Sequence, residues 1–440
     1  MNVPFFRYEF DPAALAGVEE CLRSGWLTTG PKTKEFERLF AEAVRNEDDV
    51  HAVAVNSCTA ALHLALEAVG LQRGEIVIVP TLTFAATAEV VRYFDAIPVF
   101  VDCDPHTLNL SIPHLEHTLA ALASGARVPG LADTQRRVRA IIPVHYGGQP
   151  CDLAAVTRLA ARHGCEVIED AAHAFPAGIV AHNAVTRGRG DTETPRLRSG
   201  QAPELLPSSL LPPPYSPLPT RIGGGTSRVS CFSFYANKTI TTGEGGMATT
   251  TDAELAARMR LMSLHGMNRD PWNRFAKTGT WDYQLVAPGY KYNLTDIASA
   301  LGISQLAQAE QFRTARMRLS ATYDTAFADM EAVEPLQVLD GIQHSHHLYV
   351  IQLRLDLLAI DRAQFIEEMK TRGIICSVHW RPLHMHPYYA DTYGYHAEDF
   401  PAAASVWPRI VSLPLYPSMT DEEQEHVVRA VKEIVGAHRR

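Results

Sequence analysis

The stretch SCFSFYANKTITTGEGGM, residues 230–247, holds a single lysine, Lys238. A hydroxyl stands five residues before it (Ser233), three threonines follow it (Thr239, Thr241, Thr242), and a glycine-rich turn closes the stretch at residues 243–246. Residues 229–234 read as a short buried strand and residues 246–251 as another, so Lys238 is predicted in a tight loop between two strands. Most lysines on turns are solvated surface residues. The chemical alternative is a Schiff-base nucleophile: an amine that attacks a carbonyl must be partly neutral, and burial or nearby positive charge must lower its pKa. Lys238 alone leaves both readings open, and the groups brought to it by other elements must decide.

Those elements alternate. A strand over 51–55 runs into Asn56, Ser57, Cys58 and Thr59 and then a helix over 60–69 with Leu62, Leu66 and Val69 on one side. The first N–H groups of a helix are unpaired and its dipole favours negative charge, so this junction can hold an anion; an ordinary N-cap has the same sequence. A strand over 75–80 leads to Thr81-Leu82-Thr83-Phe84. Phe84 therefore lies just past a strand's carboxyl end, where α/β sheets place ligands, unless it is a core phenylalanine. A helix over 85–93, strands over 98–102 and 140–144 and a helix over 153–163 follow. The strand over 165–168 ends in Glu169-Asp170-Ala171-Ala172-His173. Asp170, bounded by apolar strand and alanines, reads as a buried carboxylate that needs a cationic partner. The alternation predicts an α/β fold with a mostly parallel, doubly wound sheet. Its strand ends collect Ser57, Cys58, Thr59, Phe84, Asp170, His173, Ser233 and Lys238.

Around this core, a helix over 11–24 is predicted with Leu15, Val18 and Leu22 on one face, and a helix over 33–44 with Phe36, Leu39, Phe40 and Ala43 as its stripe. Between them lies a turn-rich stretch with Trp26, Leu27, Thr28 and Pro31. Thr295 is predicted to cap a long helix running past Arg313. A strand over 348–353, a helix over 362–372, a strand over 374–378 and a helix over 421–437 make a smaller α+β part. The proline-rich residues 180–222 read as an insertion, with a smaller polar one over 124–137.

At 440 residues the chain exceeds one ordinary core. We expect an N-terminal arm and helix (1–25), a large domain (26–262) and a C-terminal domain (263–440). A net charge of −9 argues against nucleic-acid or anionic-membrane partners. Seven cysteines without a CxxC pair, no signal-like start and no long apolar run suggest a reducing cytoplasm. His379, His384 and His386 match no zinc spacing and no cysteine or acid completes them, so no metal is expected.

The motifs GWLTTGPKTKEFE, NSCTAALHLAL, PTLTFAATA, PVHYGGQP, EDAAHA, SFYANKTITTGEGG and GYKYNLTDIASALG cover most of residues 25–306, and CSVHWRPLH and SLPLYPSMT continue more weakly. Together they resemble the DegT/DnrJ/EryC1/StrS family of sugar aminotransferases, fold-type-I enzymes that use pyridoxal 5′-phosphate. The resemblance implies a mostly parallel seven-stranded-type sheet flanked by helices. It implies that Lys238 holds the cofactor and moves the proton, Asp170 pairs with the pyridine nitrogen and Phe84 stacks on the ring. Ser57, Cys58, Thr59 and Ser233 would hold the phosphate, with His173 near the phenolic oxygen. Asn293 would reach the phosphate from a partner subunit, which implies a homodimer with shared sites. Trp26, Leu27, Thr28, Pro31, His379 and His384 would lie near the sugar. The retained lysine sets the chain apart from the family's dehydratases, which carry histidine there. Glutamate is the implied amino donor and a nucleotide-linked keto sugar the acceptor. GYKYNLTDI with Trp272 and Trp281 looks most like members that aminate C4 of a 4-keto-6-deoxy sugar, with C3 as the alternative. A non-enzymatic regulator on the same fold is the rival; it predicts a damaged catalytic set or a nucleic-acid-binding appendage. The proline-rich insertion departs from the family, which crosses that region by a short connection.

Overall fold

The computed structural model describes residues 1–180, 219–268 and 283–440. Strands β1 (His51–Val55), β2 (Ile76–Pro80), β3 (Ile97–Val101), β4 (Val138–Ile141) and β5 (Glu166–Asp170) precede two-residue strands β6 (Gly178–Ile179) and β7 (Thr220–Arg221); then come β8 (Val229–Ser233) and β9 (Gly246–Thr250). Seven of these form one sheet in the order β1-β9-β8-β5-β4-β2-β3. All pairings from β8 to β3 are parallel, and β9 runs against both its neighbours. The exception has a local cause. Helical crossovers return the chain to the same end of the sheet, whereas residues 234–245 connect β8 to β9 directly, as only an antiparallel pair allows. That loop carries Lys238 and leaves it at the carboxyl end of β8. All five residues of β2 are buried, as expected of a strand covered on both faces.

Helices α1 (Pro12–Ser24), α2 (Pro31–Val44), α3 (Cys58–Ala68), α4 (Ala86–Arg92), α5 (Ile112–Ser124), α6 (Leu153–His163) and α7 (Ala253–Met262) accompany this sheet. Next come α8 (Asp296–Ala307) and α9 (Ala309–Phe327), which precede strands β10 (Val333–Pro335), β11 (Ile342–Gln343), β12 (Tyr349–Leu353) and β13 (Ile410–Leu413). β10, β12 and β13 form a second, antiparallel sheet. Its core takes Tyr323 and Phe327 of α9, with Phe365 of α10 (Arg362–Thr371) and Ile434 of a last helix (Asp421–Ala437). No helix among the described residues is long and apolar enough to cross a membrane.

Several expectations change. Leu15 and Leu22 do not make the buried face of α1; both are exposed, while Ala14 and Cys21 are buried. α1 packs closely on α8, where a Cβ at Gly17 would stand 3.3 Å from Ala300, so only small residues fit the contact. The helix capped by Thr295 does not run through Arg313: it breaks at Gln308 and restarts as α9. Residues 374–378 form no strand; only isolated bridges tie Ile374 to Val3 and Ser377 to Ser412. The proline-rich insertion, Trp272 and Trp281 fall in or largely in residues outside the described ones. β6, just before the insertion, pairs with β7 at its described far end, and β6 also joins β11, making a small antiparallel sheet.

Candidate active site

β5 carries Asp170 to the middle of the sheet's carboxyl edge, where it is buried. Its Oδ2 accepts from the Thr87 hydroxyl at 2.8 Å, and its Oδ1 from the Ala172 N–H at 3.2 Å. Thr87 has its own partner in Thr83, 2.8 Å away; with Thr87 donating to Asp170, Thr83 donates to Thr87. Burial raises the Asp170 carboxyl above its ordinary pKa, and these two hydrogen bonds pull against that rise. A buried carboxylate so placed favours a cation laid against it.

Lys238 faces the same cavity, which has a volume of about 390 Å³. The side chain is reached through that cavity, yet protein surrounds its amine. Desolvation pulls the amine down to about 8, while Cys58 and Asp170 work in the opposite direction. An amine with that pKa is about one-fifth neutral near pH 7.4, against roughly one part in a thousand for an ordinary lysine, which favours the nucleophilic reading over the surface-lysine one.

The other walls come from strand ends and one distant loop. Ser57, Cys58 and Thr59 stand where β1 runs into α3. The Ser57 hydroxyl accepts from the Ala60 N–H at 3.1 Å and so acts as N-cap, which leaves the first N–H groups of α3 as the anion-binding donors. β9 reaches this junction because residue 246 is glycine: a Cβ there would lie 2.4 Å from the Ser57 carbonyl carbon. Ser233 ends β8. Phe84 is 58% exposed, so it is a ring at the cavity wall and not a core residue. His173 is buried; burial, with Lys238 and His379 nearby, pushes its imidazole well below the ordinary range. His379 is likewise pulled down to about 3 by burial and by Lys238, and its Nδ1 meets the Ser412 hydroxyl at 2.8 Å. Both rings are neutral.

Sequence reasoning missed three contributors. Trp380 lies in the cavity wall and stacks on His173, with ring centroids 5.1 Å apart and planes 25° from parallel. Its signal was available in SVHWRPLH, where the histidines drew the attention. Thr87, in PTLTFAATA, positions Asp170. Asp296 is buried and accepts from Gly30 N–H (2.6 Å), Thr33 N–H (3.0 Å) and the Thr33 hydroxyl (2.8 Å), which fixes the turn before α2.

Two sets of expected residues are not in this cavity. His384 is buried elsewhere, its Nδ1 at 2.7 Å from the Thr81 hydroxyl and its ring against Phe400. It is spent on packing the loop after β2. Trp26, Leu27, Thr28, Pro31 and Asn293 form no part of the Lys238 cavity wall in the same chain. Asn293 bridges Val55 of β1, and its side-chain amide donates to Thr29 at 2.7 Å, with Thr28 at 3.4 Å.

The cavity fits pyridoxal 5′-phosphate. It offers an amine for the aldehyde, a buried carboxylate for the ring nitrogen, an aromatic face, and a helix N-terminus for the phosphate. Two residues that wall it each carry a buried atom, His173 Nδ1 and Asn237 Oδ1, without a hydrogen-bond partner among the described residues. No cluster of His, Cys, Asp and Glu among the described residues could hold a metal ion.

The geometry agrees with the comparisons. A model of the DegT/DnrJ/EryC1/StrS aminotransferase family matches residues 9–432. The uncharacterised protein MJ1066 of Methanocaldococcus jannaschii is 38% identical over 437 residues, 99% of this chain and 98% of its own. The spore coat polysaccharide biosynthesis protein SpsC of Bacillus subtilis is 39% identical over 419 residues, covering 95% of this chain and 93% of its own. Among solved structures, the PLP form of Spr1654, a candidate sugar aminotransferase of Streptococcus pneumoniae, matches with a TM-score of 0.79 at 26% identity, over 99% of both chains. With the family matched along nearly its whole length, the chain belongs to the DegT/DnrJ/EryC1/StrS aminotransferases, enzymes whose cofactor is pyridoxal 5′-phosphate.

Proposed function

We propose that this enzyme moves an amino group from glutamate to C4 of a nucleotide-linked 4-keto-6-deoxy sugar. The observation that carries the chemistry is the meeting of a desolvated amine, Lys238, and a buried carboxylate, Asp170, in one cavity. The relatives support the sugar: one is a candidate sugar aminotransferase and another a polysaccharide biosynthesis protein.

Bound pyridoxal 5′-phosphate supplies an electron-withdrawing ring and a carbonyl. Asp170, a buried carboxylate, would favour a proton on the ring nitrogen. Thr87 and the Ala172 N–H orient that carboxylate. Lys238 would hold the cofactor, and its amine, once released, would take up and give back the protons moved between the donor's carbon and the sugar's. Phe84 covers a ring face. The N–H groups of Cys58 and Thr59, with the Ser57 turn and the Ser233 hydroxyl, hold the phosphate. Neutral His173 donates to the phenolic oxygen, and Trp380 keeps its ring in place. His379, in the same cavity, faces the sugar.

Trp26, Leu27, Thr28, Pro31 and Asn293 serve the site of a partner subunit, so the enzyme works as a homodimer. Exposed leucines on and after α1, with Leu15 at 66% and Leu22 at 58%, support a covered surface there. The division into 1–25, 26–262 and 263–440 belongs to the same reading, with the seven-stranded sheet in the second part and the three-stranded β10-β12-β13 sheet in the third. Seven free cysteines support a cytoplasmic location.

The test incubates purified protein with glutamate and UDP-, dTDP- and GDP-linked 4-keto sugars, read by mass spectrometry. The expected product gains an amino group at C4. Amination at C3 only, or no amination of any keto sugar, contradicts the proposal.

A further inference from the structure

Lys238 and Thr239 also border a second cavity, of about 280 Å³, whose other walls come from the N-terminal segment 7–11, α8, α9 and residues 417–418. Arg316 of α9 lies in that wall and is only 3% exposed. Its Nη1 donates to three carbonyls, those of Leu415 (2.8 Å), His347 (3.2 Å) and His346 (3.4 Å). Its Nε is buried without a hydrogen-bond partner, and no carboxylate pairs with it among the described residues. The buried hydroxyls of Tyr8 and Ser418 are also without partners, and both residues line this same cavity. Three donors without acceptors thus belong to residues that line one space, beside a buried cation that meets carbonyls and no described carboxylate.

The nearby acids do not answer that charge. Asp11 spends Oδ1 on the Ala14 N–H and the Ser304 hydroxyl and Oδ2 on Gln308. Glu9 is exposed, and Arg7, a further cation in the wall besides Lys238, is already paired with Glu423 at 2.6 Å. A buried guanidinium N–H and two buried hydroxyls without acceptors are costly unless a ligand supplies them.

We propose that this second cavity binds a small carboxylate, held by the Nε–H of Arg316 and the hydroxyls of Tyr8 and Ser418. Guanidinium and carboxylate match in charge and geometry, and the cavity is large enough for a short dicarboxylic acid. Burial lowers Arg316 to about 10, so the cation persists at physiological pH. The amino donor and the 2-oxo acid it leaves behind both carry such carboxylates. Naming the ligand as the donor rests on the function proposed above; carboxylate binding itself does not.

The test is calorimetric titration of the cofactor-loaded protein with glutarate, which has two carboxylates and nothing to transaminate. Saturable binding is expected, weakened about tenfold or more in the Tyr8→Phe/Ser418→Ala double variant, which removes only unpartnered hydroxyls and so spares the fold. Arg316→Met should abolish it, with circular dichroism to check folding; if that variant does not fold, the double variant decides. No saturable binding, or unchanged binding in the double variant, overturns the proposal. Glutarate that competes with glutamate in the spectral half-reaction identifies the donor's site; non-competitive action identifies a separate dicarboxylate site. A protein that fails to react with glutamate yet still binds glutarate through these residues refutes the functional reading and leaves this one standing.

Discussion

The Lys238 cavity and the corner built by Trp26, Leu27, Thr28, Pro31 and Asn293 meet at the end of β1, and only the first walls a cavity around Lys238 within the chain. In the cavity, Asp170 and Lys238 each have their pKa shifted by burial, and the lining residue His173 keeps a buried Nδ1 without a partner among the described residues. In the corner, polar groups satisfy one another: Asn293 bonds Thr28, Thr29 and Lys291, and Asp296 clamps the turn at Gly30. Groups whose task is chemistry are left electrostatically poised, and groups whose task is to present a surface are tied down. The first region is built for a cofactor, and under the proposed homodimer the second would meet a neighbour.

That contrast breaks most visibly at Lys238. Lys238→Ala should lower transamination by at least about a thousandfold, the scale of losing both nucleophile and acid/base; steady-state assay by mass spectrometry would detect it, and a loss below tenfold would move the chemistry elsewhere. Asp170→Asn should fold normally, bind the cofactor more weakly and lose about a hundredfold in rate, the scale of one lost electrostatic contact in a closed site. Near wild-type turnover in that variant would remove Asp170 from the reaction.

The corner is sharpened by subunit mixing. Lys238→Ala and Asn293→Ala proteins should each be impaired alone. Mixed and exchanged, they should recover about a quarter of wild-type activity, because half of random two-fold dimers carry one intact site. No recovery after proven exchange would return Asn293 to a local turn role. The smallest effect on turnover is expected at His384, which lies outside both regions. His384→Ala should cost about 3 kcal/mol of stability through the lost ring packing on Phe400 and the lost Thr81 bond, and change turnover less than threefold. Urea denaturation and the same assay measure both, and a large rise in the sugar's KM would reinstate it as a substrate contact.

The strand-end residues were legible because β1, β2, β5 and β8 each announce themselves locally and a parallel sheet lines up their ends. What remained hidden depends on contacts far apart in sequence. The apolar stripe of α1 gave the wrong face because α8, nearly 300 positions away, accepts only the small side. The pause at Gln308 leaves no breaker residue to read, and residues 374–378 have strand-like side chains but only bridging partners. Thr87, Trp380 and Arg316 acquire meaning only from Asp170, His173 and the second cavity. The histidines of CSVHWRPLH divide for the same reason: His379 reaches the cavity and His384 is taken by Thr81 and Phe400.

Reductive trapping tests the central claim most directly. Apo protein loaded with pyridoxal 5′-phosphate, reduced with borohydride and digested should carry the added mass on the peptide containing Lys238, and the loading rate should rise with pH through about 8 as the amine loses its proton. The label on another lysine, or no fixed cofactor at any pH, would contradict the account.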